Sequence, residues 1–299
     1  MQKFGGLYLG CPQWHVRQWN ESIFPPKTQA RDALKHYSKV FNSVEGNTTF
    51  YAVPPSHIVQ RWTESLPSDF RLVLKFPQEI THERLLDQTA LQQAQRFMEH
   101  MSPLAERLTY TLIQLPAQFD QRYFNRLYRF LMALPKQDSQ GYERRYAVEL
   151  RAVSLTQASP QSPGLFEEVN QLLSATATER VWMDTRPLRA APEPWDEATQ
   201  IARQRKPNLP VYPIGLGPSP MVRYVAHPDI QANKTWLKPW AQVFAQWLSE
   251  GRQPFFFAHY PGEVFAPQVA DLFYSLLQEL MPDLPKRPLW PSERQTSLF

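Results

Sequence analysis

The chain has 299 residues, 42% apolar and 13% aromatic, with 32 Lys and Arg against 28 Asp and Glu, a formal charge of +4 with histidine neutral. A single cysteine, Cys11, excludes an internal disulfide framework, and no apolar run approaches the roughly 18 residues of a membrane span. The small charge surplus permits an anionic partner without implying nucleic acid, and neither GxGxxG nor the P-loop pattern is present. Met1–Gly10 has neither a basic n-region with an apolar stretch nor a cleavage site, so a cytoplasmic location is expected.

In chain order, the first predicted strand is Leu7–Gly10, followed by a helix carrying Leu34, Tyr37 and Phe41 at spacings of three and four. Strand Ser43–Asn47 precedes a helix with Ile58, Trp62 and Leu66. Arg71–Phe76 is followed by a less regular helical pattern over Leu91–Met101. Thr109–Leu115 precedes a helix with Phe124, Leu127, Tyr128 and Leu131, and Tyr146–Arg151 one with Val169, Leu172 and Leu173. Val181–Asp184 leads to a second irregular pattern at Asp196–Gln204 and then to a long Pro-rich connection, Lys206–Pro220. Met221–Ala226 precedes a helix with Leu237, Trp240, Phe244, Trp247 and Leu248. Phe255–Tyr260 precedes the last, with Val269, Leu272, Phe273, Leu276 and Leu280. Met281–Phe299 is Pro-rich and reads as too polar to pack as a helix.

Strand and helix alternating eight times fit an α/β chain folded as a TIM-type (β/α)8 barrel, one domain over 1–282 with a flexible tail over 283–299. Such barrels build their sites at the C-terminal ends of the strands. In Ala147-Val148-Glu149-Leu150-Arg151, alternation sends Val148 and Leu150 towards the helices and Glu149 and Arg151 towards the axis. The same reasoning places Glu45, Asn47, Lys75, Gln114, Asp184 and Arg223 inward near their strand ends.

The residues Gly10-Cys11-Pro12-Gln13-Trp14 with Trp19, Phe41–Tyr51 (FNSVEGNTTFY), Lys75-Phe76-Pro77 and Ile80-Thr81-His82 carry a family likeness. With Gln114-Leu115-Pro116, Val148-Glu149-Leu150-Arg151 and Asp184, they resemble the domain of unknown function 72, or YecE-like, family, close to its YecE branch. The resemblance spans nearly the whole chain and implies a TIM-type barrel, but it implies little about activity. The chain departs from the wider pattern at Gly10–Trp14, at Arg151-Ala152-Val153-Ser154-Leu155 and at Phe257-Ala258-His259, all on the expected rim.

Three carboxylates, Glu45, Glu149 and Asp184, and three cations, Lys75, Arg151 and Arg223, are thus expected at one mouth. Carboxylates there can act as general acid or base, with the cations clamping a phosphate or carboxylate. The alternative is a buried network in which the charges neutralise one another. Trp14, Asn47, Tyr51, Gln114 and His259 complete the expected substrate lining, and Trp14, Trp19, Phe50 and Tyr51 either stack a ring or cap the core. The cofactor is left open. A divalent metal on Glu45, Glu149, Asp184, His227 and His259 is not favoured, since no paired ligand spacing occurs and Lys and Arg compete for the same oxygens. His15 also falls beyond a strand end, His82 has a minor role at most, and Cys11 reads as a buried inert thiol.

Gln295-Thr296-Ser297-Leu298-Phe299 resembles the short peptide by which bacterial polymerases and repair proteins bind the DNA sliding clamp, with Gln295, Leu298 and Phe299 as anchors; docking on the chain's own barrel is the alternative. Three functions follow. The first is a hydrolase or lyase on a phosphate-bearing or nucleic-acid substrate, delivered by the tail. The second is a non-catalytic adaptor with a small anionic ligand, and the third a sugar-phosphate enzyme supported by fold analogy.

Overall fold

The computed structural model describes residues 3–20, 22–157 and 164–296. Eight runs rich in Val, Leu, Tyr and Phe form parallel strands: β1 (Tyr8–Gly10), β2 (Ser43–Gly46), β3 (Arg71–Lys75), β4 (Leu108–Gln114), β5 (Arg145–Glu149), β6 (Thr178–Asp184), β7 (Met221–Val225) and β8 (Phe255–His259). They pair in the order β1-β8-β7-β6-β5-β4-β3-β2, which curls the sheet until β1 and β2 meet. Side chains lace that last seam. Asn42 accepts from Leu9 N–H and donates to Leu7 O, both at 2.8 Å, so one amide stands in for two ladder bonds. The Tyr37 hydroxyl accepts from Cys11 N–H at 2.7 Å and donates to Ser43 O at 3.1 Å, and Glu45 N–H reaches Cys11 O at 3.1 Å. Gly10 permits the approach, because a Cβ there would stand 2.1 Å from Ser43 O.

The helices are α1 (Ala30–Val40), α2 (Thr48–Tyr51), α3 (Ser56–Ser65), α4 (Gln88–His100), α5 (Phe124–Ala133), α6 (Val153–Thr156), α7 (Leu165–Ala175), α8 (Arg186–Ala190), α9 (Glu197–Arg205), α10 (Asn233–Ser249), α11 (Ala266–Leu280) and α12 (Pro291–Thr296). All eight patterned helices are present. The two with the least regular periodicity start at side-chain caps, Asp87 accepting from Ala90 N–H and Asp196 from Thr199 N–H. The short α2, α6 and α8 have no sequence period long enough to announce them.

Alternation divides the strands as expected for β5. Val148 packs outward among the helices, while Ala147 joins Val73, Tyr110, Leu112, Val181 and Phe257 inside the barrel. Each fully buried Val, Leu or Phe there contributes roughly 1.5–3 kcal/mol relative to exposure. The Pro-rich connection after α9 runs along the outside of β6. The Trp182 indole donates to Ile214 O at 2.7 Å, and Glu179 accepts from Leu216 N–H and Gly217 N–H at 3.0 and 2.9 Å.

The tail departs from the expectation of a flexible leash over 283–299. Tyr274 donates to Pro285 O at 2.6 Å, and Arg287 pairs with Asp271 and with Glu293. Trp290 is buried beneath the Arg287 guanidinium, and Leu284 fits against Gly5, which has no side chain to obstruct it. Counting polar residues overlooked these two apolar anchors, which fasten the segment and let α12 form. The backbone of Gln295 lies in α12, whereas Leu298 and Phe299 lie outside the described residues. No helix among the described residues is long and apolar enough to cross a membrane.

Candidate functional site

At the C-terminal ends of the strands the apolar interior gives way to a charged layer. Glu45, one residue before the end of β2, faces the axis, and its carboxylate receives both Nε and Nη2 of Arg223 from β7, at 2.6 and 2.7 Å. The third arm of that guanidinium, Nη1, goes to Glu149 of β5, so one arginine ties two glutamates across the barrel. Arg151 Nε donates to the other Glu149 oxygen at 2.6 Å. Lys75, ending β3, stands 3.2 Å from Glu45 Oε1 and donates to Gln114 Oε1 at 2.8 Å. His259 Nε2 lies 3.3 Å from Glu45 Oε2. A tight turn after β8, with Gly262 and Glu263 at φ of +69° and +61°, brings Glu263 Oε1 to 3.5 Å from His259 Nδ1.

Burial alone would raise the carboxyl pKa of Glu45, but Arg223, Lys75 and His259 outweigh it and hold that group well below the usual range. Glu149 behaves alike under Arg223 and Arg151. Lys75 moves the other way. Burial and then the field of Arg223 pull its ammonium down to about 7, against the counter-pull of Glu45 and Glu149.

Above this layer opens a cavity of about 350 Å³ lined by Asn47, Phe50, Tyr51, Lys75, Gln114, Arg151 and Arg223 from the strand ends. Ala198, Ile201, Ala202 and Arg205 of α9, Lys206, and Tyr260 and Glu263 close its other side. Five cations therefore meet one lining carboxylate that is not already held by Arg223. Among the described residues, Lys206 Nζ and the Arg205 guanidinium carry no hydrogen bond or ion pair, and Arg151 donates a hydrogen bond through Nε alone, to Glu149. Asn47 donates to Pro12 O at 2.7 Å, while its buried Oδ1 has no protein partner.

The structure gathers most of the expected set, with two exceptions. Asp184 is not in the mouth. On β6 the inward residues are Val181 and Met183, so Asp184 points into the helix layer, where it accepts from the Trp240 indole at 2.8 Å and from Arg186 Nη2 at 2.7 Å. Its polarity suggested the axis; alternation from Val181 gives the opposite face. Trp14 is also behind the wall, edge-on to Trp62 at 5.2 Å and against Gly46. Trp19 is buried, donating to Glu263 O and Val264 O, a core-capping role. His259 sits beneath the cavity, against Glu45. Tyr51 is an exposed lip and Phe50 a wall.

Sequence reading missed Arg205 and Lys206, which arrive from the irregular α9. The basic run Arg203-Gln204-Arg205-Lys206 before Pro207 is the signal that could have found them. His82 packs edge-on to Phe50 at 5.1 Å, and burial with the nearby Arg151 and Lys75 pulls it down to about 4. His227 Nδ1 accepts from Asp229 N–H in a loop. Among the described residues no three His, Cys, Asp or Glu side chains stand together as a metal-binding group. Cys11 is buried and its thiol is pushed well up by that burial.

Known proteins place these observations. YecE of Escherichia coli K12 is 33% identical over 296 residues, covering 98% of this chain and all of that one. YunF of Bacillus subtilis is 29% identical over 127 residues, 41% of this chain and 44% of its own. A DUF72 family protein of Thermotoga maritima superposes with a TM-score of 0.63 at 20% identity, covering 93% of this chain and 99% of that one. One of Enterococcus faecalis superposes at 0.62 and 17%, covering 92% and 95%. The model for the family described as "Protein of unknown function DUF72" matches residues 8–294, and the chain belongs to that family.

Proposed function

We propose that the barrel mouth binds a small anionic molecule bearing a phosphate or carboxylate. The observation that carries this reading is the surplus of unspent donors: Arg151 Nη, Arg205 and Lys206 line the cavity with hydrogen-bonding capacity left over once Arg223 has satisfied Glu45 and Glu149. A guanidinium offers the planar fork that suits either anion. A cavity of about 350 Å³ suits one metabolite-sized ligand rather than a duplex. Phe50 and Tyr51 at the rim add a surface for the ligand's carbon skeleton.

In this reading Glu45 and Glu149 fix the positions of the cations. Both stay ionised at neutral pH, which leaves no proton for a general acid and little basicity for a general base. A hydrolase or lyase built here would move its proton through Lys75, whose pKa lies near neutrality. The test is calorimetric titration of the full chain with inorganic phosphate and with pyruvate. Saturable heat that disappears in an Arg151→Met, Lys206→Met double variant supports the reading, and no heat with any anion up to tens of millimolar removes it.

A second reading concerns the chain's end. Trp290 and Arg287 fasten the segment that precedes it to the barrel surface. We propose that Gln295, Leu298 and Phe299 recruit the protein to the sliding clamp. Titration of purified clamp with the full chain and with a version ending at Arg294 tests this: equal binding or none in both removes it.

A further inference from the structure

The mouth has two lining amines, Lys75 and Lys206, and only Lys75 sits on the charged layer with a carboxylate in hand. Its Nζ makes two protein contacts, Gln114 Oε1 at 2.8 Å and Glu45 Oε1 at 3.2 Å, and the Phe50 ring lies 5.8 Å away. An amine nitrogen has four tetrahedral directions. One holds the carbon chain and two face these oxygens, which leaves one for the cavity that Lys75 lines.

We propose that Lys75 is a nucleophile that condenses with the carbonyl carbon of a small anionic aldehyde or 2-oxo acid held in the mouth. The proposal rests on the anion-binding reading above, because Arg151 and Lys206 must hold the ligand's charged group while its carbonyl meets Nζ. The nitrogen lone pair forms the C–N bond as the carbonyl π pair moves to oxygen. Two protons pass in turn from nitrogen to that oxygen, giving first the carbinolamine hydroxyl and then the water that leaves, while Glu45 stays ionised beside the nitrogen. Amine and carbonyl give imine and water, with no oxidant or reductant consumed.

Arg223 keeps Glu45 ionised beside the nitrogen, so a protonated imine inherits the counter-ion that the ammonium had. The same surroundings supply the free amine at working pH. Burial and Arg223 pull Lys75 down to about 7, so a substantial share of the side chain is unprotonated there, unlike a surface lysine. Arg151 and Arg223 cannot play this part, since a guanidinium stays protonated.

The experiment incubates the full chain with pyruvate and cyanoborohydride, which reduces an imine to a stable secondary amine, and maps the adduct by peptide mass spectrometry. One adduct per chain on Lys75 is expected. Its yield should rise with pH around a midpoint near 7, fall when inorganic phosphate competes, and vanish in Lys75→Arg, which keeps the cation for Glu45. Mapping of the unaltered chain decides the matter even if that variant does not fold. Label spread over surface lysines, or concentrated on Lys206, overturns the assignment. If phosphate and pyruvate both bind calorimetrically and Lys75 stays unlabelled, the nucleophile is wrong and the anion site stands. If neither anion binds, the reading of the mouth fails, and this inference with it.

Discussion

The two ends of the barrel bury carboxylates in opposite ways. At the mouth, Glu149 and Glu45 are held by side-chain cations and their pKa values are driven down. At the other end of β6, Glu179 is equally buried, yet it accepts only backbone N–H groups, from Arg180, Leu216 and Gly217 at 2.9–3.0 Å, and burial pushes its pKa up. Its neighbour Arg180 spends its guanidinium on Asn170 and Leu155 O and stacks on Trp182. The floor uses charge to fasten the chain to itself; the mouth brings in more cations than its own anions can occupy. Burial of a charge is thus no sign of function, whereas donors left over in a cavity are.

The largest effect that separates the two ends is expected from Arg223. Arg223→Ala strands two buried glutamates, and urea unfolding should show a loss of roughly 3–5 kcal/mol. A loss below about 1 kcal/mol would mean that Lys75, His259 and Arg151 already neutralise them. At the floor, Glu179→Ala orphans three backbone donors and should cost about 1–3 kcal/mol while leaving anion affinity unchanged. Asp184→Asn should behave like the floor despite its place at a strand end, costing about 1–3 kcal/mol through its Trp240 and Arg186 bonds with no change in ligand titrations. A weakened ligand affinity in that variant would break the inside-outside assignment of β6.

Arg151→Met should weaken phosphate binding about tenfold, roughly 1.4 kcal/mol, and also cost about 1–3 kcal/mol in urea through its bond to buried Glu149. The smallest effect is on the pH profile. Between pH 7 and 10.5 the unfolded chain still holds the Lys75 proton that the folded protein has released, so this group makes stability rise with pH across that window and costs stability below it. Thermal melts of Lys75→Met should therefore be flatter there than those of the unaltered chain. Parallel profiles would contradict the lowered amine.

Much of this was legible in the sequence. Strand after helix eight times gave the barrel, and alternation placed Glu149 and Arg151 because Val148 and Leu150 flank them with unambiguous apolar partners. Asp184 failed for a related reason. β6 begins at Thr178, three residues before the predicted Val181, and a four-residue window offered too few alternations to override the appeal of a carboxylate at a strand end. Arg205 and Lys206 were hidden because α9 has no regular apolar period and the Pro-rich run after it read as connection. The docked tail was obscured by composition: four prolines between 281 and 291 outweighed Leu284 and Trp290 in the reading, although two anchors suffice to hold a short segment.

The most direct test of the mouth as an anion site is a crystal structure of the full chain grown or soaked with selenate, an anion that anomalous scattering locates without bias. The account predicts a single strong site in the cavity, contacting Arg151 and Lys206, with the Arg223 bridge between Glu45 and Glu149 unbroken. Selenate found only on exterior lysines, or bound to Arg223 in place of either glutamate, would contradict it.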